Sequence, residues 1–168
     1  MHIHIAELNA GLGKELPFSF TTAAADIDAT AADYAFEGPI EVEGHVTNTG
    51  TGYRVEGVIR ARKRFICDRC LEECLEAQEH AFSEMFRQGT PAENDDANFF
   101  DGDEIELQEL VRDTLLAAQP LSNICKPDCK GLCPVCGANL NHGDCGCDRF
   151  VPDPRLAALQ EFMTKDND

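Results

Sequence analysis

The stretch Tyr53-Arg54-Val55-Glu56-Gly57-Val58-Ile59-Arg60-Ala61-Arg62-Lys63-Arg64-Phe65-Ile66-Cys67-Asp68-Arg69-Cys70 decides the fold. Successive side chains of a strand point to opposite faces. Val55, Ile59, Ala61 and Phe65 then share one face, while Arg54, Arg60, Arg62 and Arg64 share the other. This alternation predicts a half-buried strand from Tyr53 to about Ile66. Immediately before it, Asn48-Thr49-Gly50-Thr51-Gly52 supplies residues that accept tight-turn backbone. Before the turn, Pro39 to Thr47 alternates as well, with Ile40, Val42 and Val46 opposed to Glu41, Glu43 and His45. A hairpin follows from these three pieces. At its far end the second strand runs into two cysteines spaced by two residues.

Further out, His2 to Leu8 and Leu16 to Thr22 alternate at strand period, and Ala23 to Tyr34 reads as a loop or one short helix. Cys74 to Arg87 returns as a strand in which Leu75, Ala77, Ala81 and Phe82 are loosely patterned. Gln88 to Glu104 is a break rich in Asp, Glu and Asn, with Gly89, Pro91 and Gly102. From about Glu104 to Gln119, Leu107, Leu110, Val111, Leu115 and Ala118 recur at helical spacing, with Asp103 placed to cap the start and Pro120 just past the end. Asp153-Pro154 predicts the start of a short last helix. The expected class is α+β. It comprises an antiparallel β-sheet or small open barrel over residues 1–87, an acidic loop over 88–103 and an amphipathic helix over 104–120 packing on the sheet. A cysteine-rich, zinc-ribbon-like segment over 121–152 and a short helix and tail over 153–168 complete it.

Charge narrows the function. Fourteen Lys and Arg against 31 Asp and Glu give a formal net charge of -17, which repels polyanions and argues against general nucleic-acid binding. The first residues lack a basic region followed by a long apolar run, and no stretch approaches the roughly 20 apolar residues of a membrane span. A soluble protein of the cytoplasm is expected, with no membrane partner. In that compartment nine cysteines favour metal binding over disulfides.

The C-terminal cysteines are spaced Cys125-x3-Cys129-x3-Cys133-x2-Cys136-x8-Cys145-x-Cys147. Cys133-Pro134-Val135-Cys136-Gly137 has the form of a zinc knuckle, in which two thiolates face one ion and the glycine permits the turn. Cys145 and Cys147 complete a four-thiolate set. Cys125 and Cys129 remain, and Cys67 and Cys70 stand upstream. These four are candidates for a second zinc site that staples the tail to the β-region; alternatively Cys67 and Cys70 are a reduced, unliganded pair at a strand end. Cofactor content is therefore one or two zinc ions, with Cys74 left over. His142 between the knuckles, and His2 and His4 on the first strand, read as solvated side chains. Cys129-x3-Cys133-x2-Cys136 matches the spacing of radical-enzyme iron–sulfur motifs, but no α/β barrel follows it. Cys67-x2-Cys70 follows a hairpin strand and lacks the βαβ context of a redox dithiol.

Six of the 14 cationic residues, Arg54, Arg60, Arg62, Lys63, Arg64 and Arg69, lie close together. Arg60, Arg62 and Arg64 on one strand face are spaced at roughly 7 Å, which suits contact with an RNA backbone or a partner. The competing reading pairs them with Glu37, Glu41 and Glu43 of the preceding strand. No nucleophile–base set, phosphate loop or dinucleotide fingerprint is present, so an enzyme is not expected.

The run Cys125-Lys126-Pro127-Asp128-Cys129-Lys130-Gly131-Leu132-Cys133-Pro134-Val135-Cys136-Gly137-Ala138-Asn139-Leu140-Asn141 closely resembles the signature of the YceD-like family, named for large ribosomal RNA subunit accumulation. Cys67-x-Arg69-Cys70-Leu71 and the helix Glu106 to Arg112 followed by Pro120-Leu121 resemble further features of that family, in the same order over roughly residues 1–160. The resemblance implies a non-enzymatic role in ribosome assembly. It points to large-subunit rRNA or, in preference given the charge, a basic ribosomal protein of the large subunit as partner. A zinc-thiolate redox or stress sensor is the alternative from a different class.

Overall fold

The Tyr53–Ile66 strand lies at the centre of a six-stranded sheet. A computed structural model describes residues 1–90, 97–149 and 155 of the chain. Its strands are β1 (His2–His4), β2 (Glu15–Thr22), β3 (Tyr34–Phe36), β4 (Ile40–Asn48), β5 (Tyr53–Ile66), β6 (Glu73–Gln88), β7 (Asn98–Phe100) and β8 (Glu104–Glu106), followed by the helix α1 (Gln108–Ala117). The sheet order is β2-β4-β5-β6-β7, with β3 pairing the second half of β5. All these pairs are antiparallel except β6 with β7, which is parallel. The end strands β2 and β7 do not pair, so the sheet stays open. The structure is mostly sheet with one α-helix among the described residues.

The hairpin forms as its pattern dictates. Val46 faces Val55 and Val42 faces Ile59 across β4 and β5, and all four are buried. Asn48 holds the turn with its side chain, accepting from the Gly50 amide at 2.8 Å and donating to the Leu8 carbonyl at 2.8 Å. At mid-strand the row Phe18, Gly44, Gly57, Phe82 crosses four strands in register. A Cβ on Gly44 would lie 2.2 Å from the Glu56 carbonyl oxygen and 2.7 Å from the Phe18 ring. The two glycines leave space that aromatic rings of the flanking strands occupy.

Three expectations change. First, Lys63 stands between Ala61 and Phe65 on the inward face and is only 1% exposed, apart from the arginines it neighbours in sequence. Its Nζ donates to Asn123 Oδ1 at 2.6 Å and lies 4.5 Å from the Tyr34 ring centroid and 5.2 Å from that of Phe65. Aromatic faces and an amide oxygen offset part of the cost of burying the cation. Second, α1 begins at Gln108, and Glu104–Glu106 is a strand paired with His2–His4. Ile3 and Ile105 meet across that pair, both buried. Asp103 therefore caps no helix; its carbonyl accepts from the Ile5 amide at 3.0 Å, and Leu107 stands at the N-cap without a side-chain bond. Third, the acidic break contains β7. The helix predicted at Asp153-Pro154 lies outside the described residues.

Leu107, Val111 and Leu115 are fully buried in one core with Ile3, Ile5, Leu8 and the inner faces of β4 and β5. The chain divides into two units: Met1–Ile66 with Glu73–Asn123, and Cys67–Glu72 with the described residues from Ile124 onward. The core just named belongs to the first. In the second, among the described residues, the buried apolar side chains are Leu140 and four cysteines. Replacing Gly44 by Ala should cost the first unit about 3 kcal/mol, because two of the three nearest clashing atoms, including the closest, are backbone and cannot rotate away. A urea melt should show a lower midpoint with an unchanged slope; an unchanged midpoint would contradict the packing described.

Candidate metal centre

The second unit gathers eight of the nine cysteines into two groups. Cys67, Cys70, Cys125 and Cys129 form site one, and Cys133, Cys136, Cys145 and Cys147 form site two, with the four sulfurs of each group within 4.8 Å of one another. In site one Cys67 Sγ lies 3.9 Å from Cys129 Sγ, and Cys70 Sγ lies 3.7 Å from Cys125 Sγ. Disulfide sulfurs stand at about 2.0 Å, and all nine cysteines are reduced. A tetrahedral four-thiolate metal site with bonds of roughly 2.3 Å has sulfur–sulfur edges of roughly 3.8 Å. The residues fit a soft divalent cation, and either cluster can hold one. Cys74 sits on β6 opposite Phe65 and joins neither cluster.

Each site opens on the same turn. In Cys67-Asp68-Arg69-Cys70 the Leu71 amide donates to the Cys67 carbonyl at 2.9 Å, and the Cys67 amide donates to the Glu72 carbonyl at 2.9 Å. In Cys133-Pro134-Val135-Cys136 the Gly137 amide donates to the Cys133 carbonyl at 2.9 Å, and the Cys133 amide to the Ala138 carbonyl at 2.8 Å. Both turns put the residue after the second cysteine in the left-handed region, Gly137 at φ 73° and Leu71 at φ 58°. Leucine adopts that conformation at a cost, so the upstream knuckle hid its turn behind an atypical residue.

Donors converge on the sulfurs. The Cys125 amide donates to Cys67 Sγ at 3.4 Å, and Asn141 Nδ2 donates to Cys129 Sγ at 3.4 Å. Asn141 is itself held, its Oδ1 accepting from the Lys130 amide at 2.9 Å. Arg69 Nη1 donates to the Cys129 carbonyl at 3.1 Å, which assigns it to the cluster and not to the arginine stripe. A Cβ on Gly131 would stand 3.0 Å from the Arg69 carbonyl oxygen, the carbonyl that receives the Leu132 amide. Neither Asn141 nor this role of Arg69 announces itself in the sequence, since both act on groups distant along the chain.

These surroundings split the thiols. Burial opposes ionisation of Cys67, but the amides of Cys125, Cys70 and Arg69 bring it down to about 6. The Cys136 and Val135 amides, against burial, bring Cys133 to about 6. The Asn141 amide and the Gly131 backbone lower Cys129 as well. Burial and its neighbouring cysteines push Cys125 far up, and the bonds with Cys136 and Cys145 push Cys147 up to about 12. The first thiolates of each set form readily and the last are resisted by the charge already present. A bound cation removes that resistance.

The arginine stripe stands in the other unit. Arg60 bridges Glu43 at 2.7 Å and Glu79 at 2.8 Å, and Arg64 bridges Glu37 at 2.8 Å and Glu73 at 3.0 Å. Arg62 packs its guanidinium beside Gly38. Cross-strand carboxylates thus occupy two of the three arginines. His142 lies outside both clusters and meets Glu72 at 3.0 Å, while His2 and His4 face Glu104 across β1 and β8.

Residues 55–163 match the model of a family described as large ribosomal RNA subunit accumulation protein YceD. The chain belongs to the YceD family. Among similar proteins, an uncharacterised protein of Mycobacterium tuberculosis is 29% identical over 134 residues, covering 77% of this chain and 64% of the relative. The Arabidopsis thaliana large ribosomal RNA subunit accumulation protein YCED homolog 1, chloroplastic, is 26% identical over 158 residues, 76% of this chain and 49% of the relative. The Zea mays protein of the same name is 29% identical over 135 residues, covering 61% and 46%. The chain thus spans just under two thirds of the mycobacterial relative and about half of the plant ones. No solved structure matches. Among the described residues of this YceD-family chain, no helix is long and apolar enough to cross a membrane.

Two measurements test the geometry. In the metal-free protein the ultraviolet absorbance of thiolate should rise in two separated steps with pH. The first, from Cys67 and Cys133, falls near pH 6, and the last lies above the ordinary thiol value of 9. Because their folded values are lowered, Cys67 and Cys133 stabilise the metal-free fold above pH 9, and this contribution is lost as pH falls through 6. One merged step near pH 9 would contradict the donor arrangement. Separately, Gly137→Ala should cost about 1 kcal/mol through its left-handed backbone alone, since a Cβ there meets nothing within 4 Å. Leu71→Gly should not destabilise; loss of stability in both variants would break the equivalence of the two turns.

Proposed function

We propose that this chain is a non-enzymatic ribosome-assembly factor that supports accumulation of large-subunit rRNA, with one structural zinc ion in each four-cysteine site. The observation that carries the reading is the family match over residues 55–163, a span that includes both clusters. Four thiolates at tetrahedral spacing suit zinc among the common soft cations. In this reading Cys67, Cys70, Cys125 and Cys129 hold one ion, and Cys133, Cys136, Cys145 and Cys147 the other in a zinc-ribbon-like segment. The zinc supplies folding energy. The chain's own residues orient the thiolates through the Asn141, Cys125 and Cys136 amides and keep site one from water by burying Cys67, Cys70 and Cys129.

Charge favours a basic ribosomal protein over rRNA as the direct partner. At -17 the chain repels a polyanion, and two of the three arginines of the β5 stripe are already neutralised by carboxylates. A groove of about 960 Å3 in the first unit carries Glu84, Asp101, Glu104, Glu106, Glu109 and Asp113 around Phe86, Phe99, Phe100 and Leu110. Carboxylates over an aromatic floor suit cationic side chains. Contact by Arg60, Arg62 and Arg64 is confined in this reading to a local role.

Two experiments test the proposal. Metal analysis of the purified chain should find two zinc ions, and Cys67→Ala/Cys70→Ala should leave one; an unchanged count in that variant rejects the grouping. Cells depleted of the protein should show a fall in large-subunit relative to small-subunit rRNA that the wild-type chain reverses. Normal rRNA on depletion, together with reversible zinc loss at low peroxide, would instead favour a zinc-thiolate stress sensor.

A further inference from the structure

The two clusters differ in what governs how fast a competing ligand reaches a metal. At site one Cys67, Cys70 and Cys129 are buried and Cys125 is half-buried. At site two Cys133 alone is buried, Cys145 and Cys147 are half-buried, and Cys136 is exposed. Site one also draws donors from outside its knuckle: the Cys125 amide onto Cys67, the Asn141 side chain onto Cys129, and Arg69 onto the Cys129 carbonyl.

The backbone shows the same contrast. Site one is laced by the Leu132 amide onto the Arg69 carbonyl, with Gly131 pressed against Arg69, while the Leu140 amide on the Gly131 carbonyl brackets the Cys133–Cys136 knuckle of site two. The arm that closes site two, Cys145-Gly146-Cys147, follows Gly143, and a Cβ on either glycine would meet nothing within 4 Å. Among the described residues, main-chain hydrogen bonds outside helices and strands end with the His142 amide on the Asn139 carbonyl. Beyond it, Asp144 accepts from Gly146 and Arg149, both on the arm itself.

We propose that the sites hold metal on different terms: site one is a permanent fixture, and site two is exchangeable, opening at Cys136 to an incoming thiolate or chelator. The proposal rests on the reading that both sites bind zinc. A d10 ion has no ligand-field preference and can expand to five ligands, so exchange needs only an approachable side. The incoming ligand forms one metal bond as the Cys136–metal bond breaks. The displaced thiolate takes a proton from solvent, and no electrons change hands. At site one three buried sulfurs block that approach, and the outer donors hold the thiolates in place. Such donors alone are worth about 10- to 100-fold in metal affinity.

The test uses the full chain loaded with zinc and an excess of a chromogenic chelator. Two phases of equal amplitude are expected, with rates differing about tenfold or more. Cys145→Ser/Cys147→Ser should hold one zinc and release it at the unchanged slow rate. Asn141→Ala keeps all eight ligands; it should speed the slow phase about tenfold and leave the fast phase alone. Release of both ions in a single phase overturns the proposal, as does a fast phase that persists in the double variant or one that responds to Asn141→Ala. Fewer than two zinc ions in the starting protein would overturn the zinc reading itself, a result distinct from a failure of the inequivalence alone.

Discussion

Six residues, Cys67 to Glu72, serve as both the end of a long hairpin and half of a thiolate cage. The β5–β6 ladder runs in register to Ile66 opposite Glu73, and the next main-chain bond, Cys67 to Glu72, already belongs to the knuckle. The turn that reverses the chain is the turn that presents Cys67 and Cys70. A one-residue slip in the ladder would move every β5 side chain to the wrong face and would also break the sulfur geometry. The knuckle and the hydrophobic alternation thus specify the same register.

The two units solve the problem of stability differently. The first packs Val42, Val46, Val55, Ile59, Val111 and Leu115 into a shared core. The second has Leu140 as its one buried apolar side chain apart from cysteine, among the described residues. Burying a leucine contributes about 2–3 kcal/mol, whereas the zinc of the proposed function would contribute on the order of 10 kcal/mol. Charge explains why the metal-free alternative is poor. Clustered thiols ionise against one another. Arg69 directs its guanidinium to the Cys129 carbonyl.

Much of this was legible in the residues, and what was not has physical causes. The β4–β5 hairpin could be read because both strands alternate cleanly around a turn of Asn, Thr and Gly. The start of α1 could not, because Glu104-Ile105-Glu106-Leu107 suits either period. The choice is made by Ile3, about a hundred positions away along the chain, which buries Ile105. Lys63 obeys the strand alternation, yet charge alone grouped it with the outward arginines; Tyr34, Phe65 and Asn123 help make its inward place tolerable. Counting pairs offered the second four-sulfur grouping beside the reading of Cys67 and Cys70 as an unliganded pair, and the structure brings the eight cysteines together in two sets of four. The role of Asn141 is invisible in the sequence, since a hydrogen bond to a sulfur 12 positions away leaves no mark on local pattern.

The long sequence gap inside site one sets an order of events during synthesis. Cys67 precedes Cys125 by 58 positions, and that interval contains β6, β7, β8 and α1. At about 5 to 20 residues per second, a ribosome needs about 3 to 12 s to deliver the second half of the cage. Once β6 has followed, Cys67 and Cys70 stand on a hairpin tip with two thiols of the set present and two missing, while the later strands and helix can pair and pack. Site two lies within 15 residues, Cys133 to Cys147, and closes as one local event. The four cysteines of site one can therefore come together only after everything between Cys67 and Cys129 has been made.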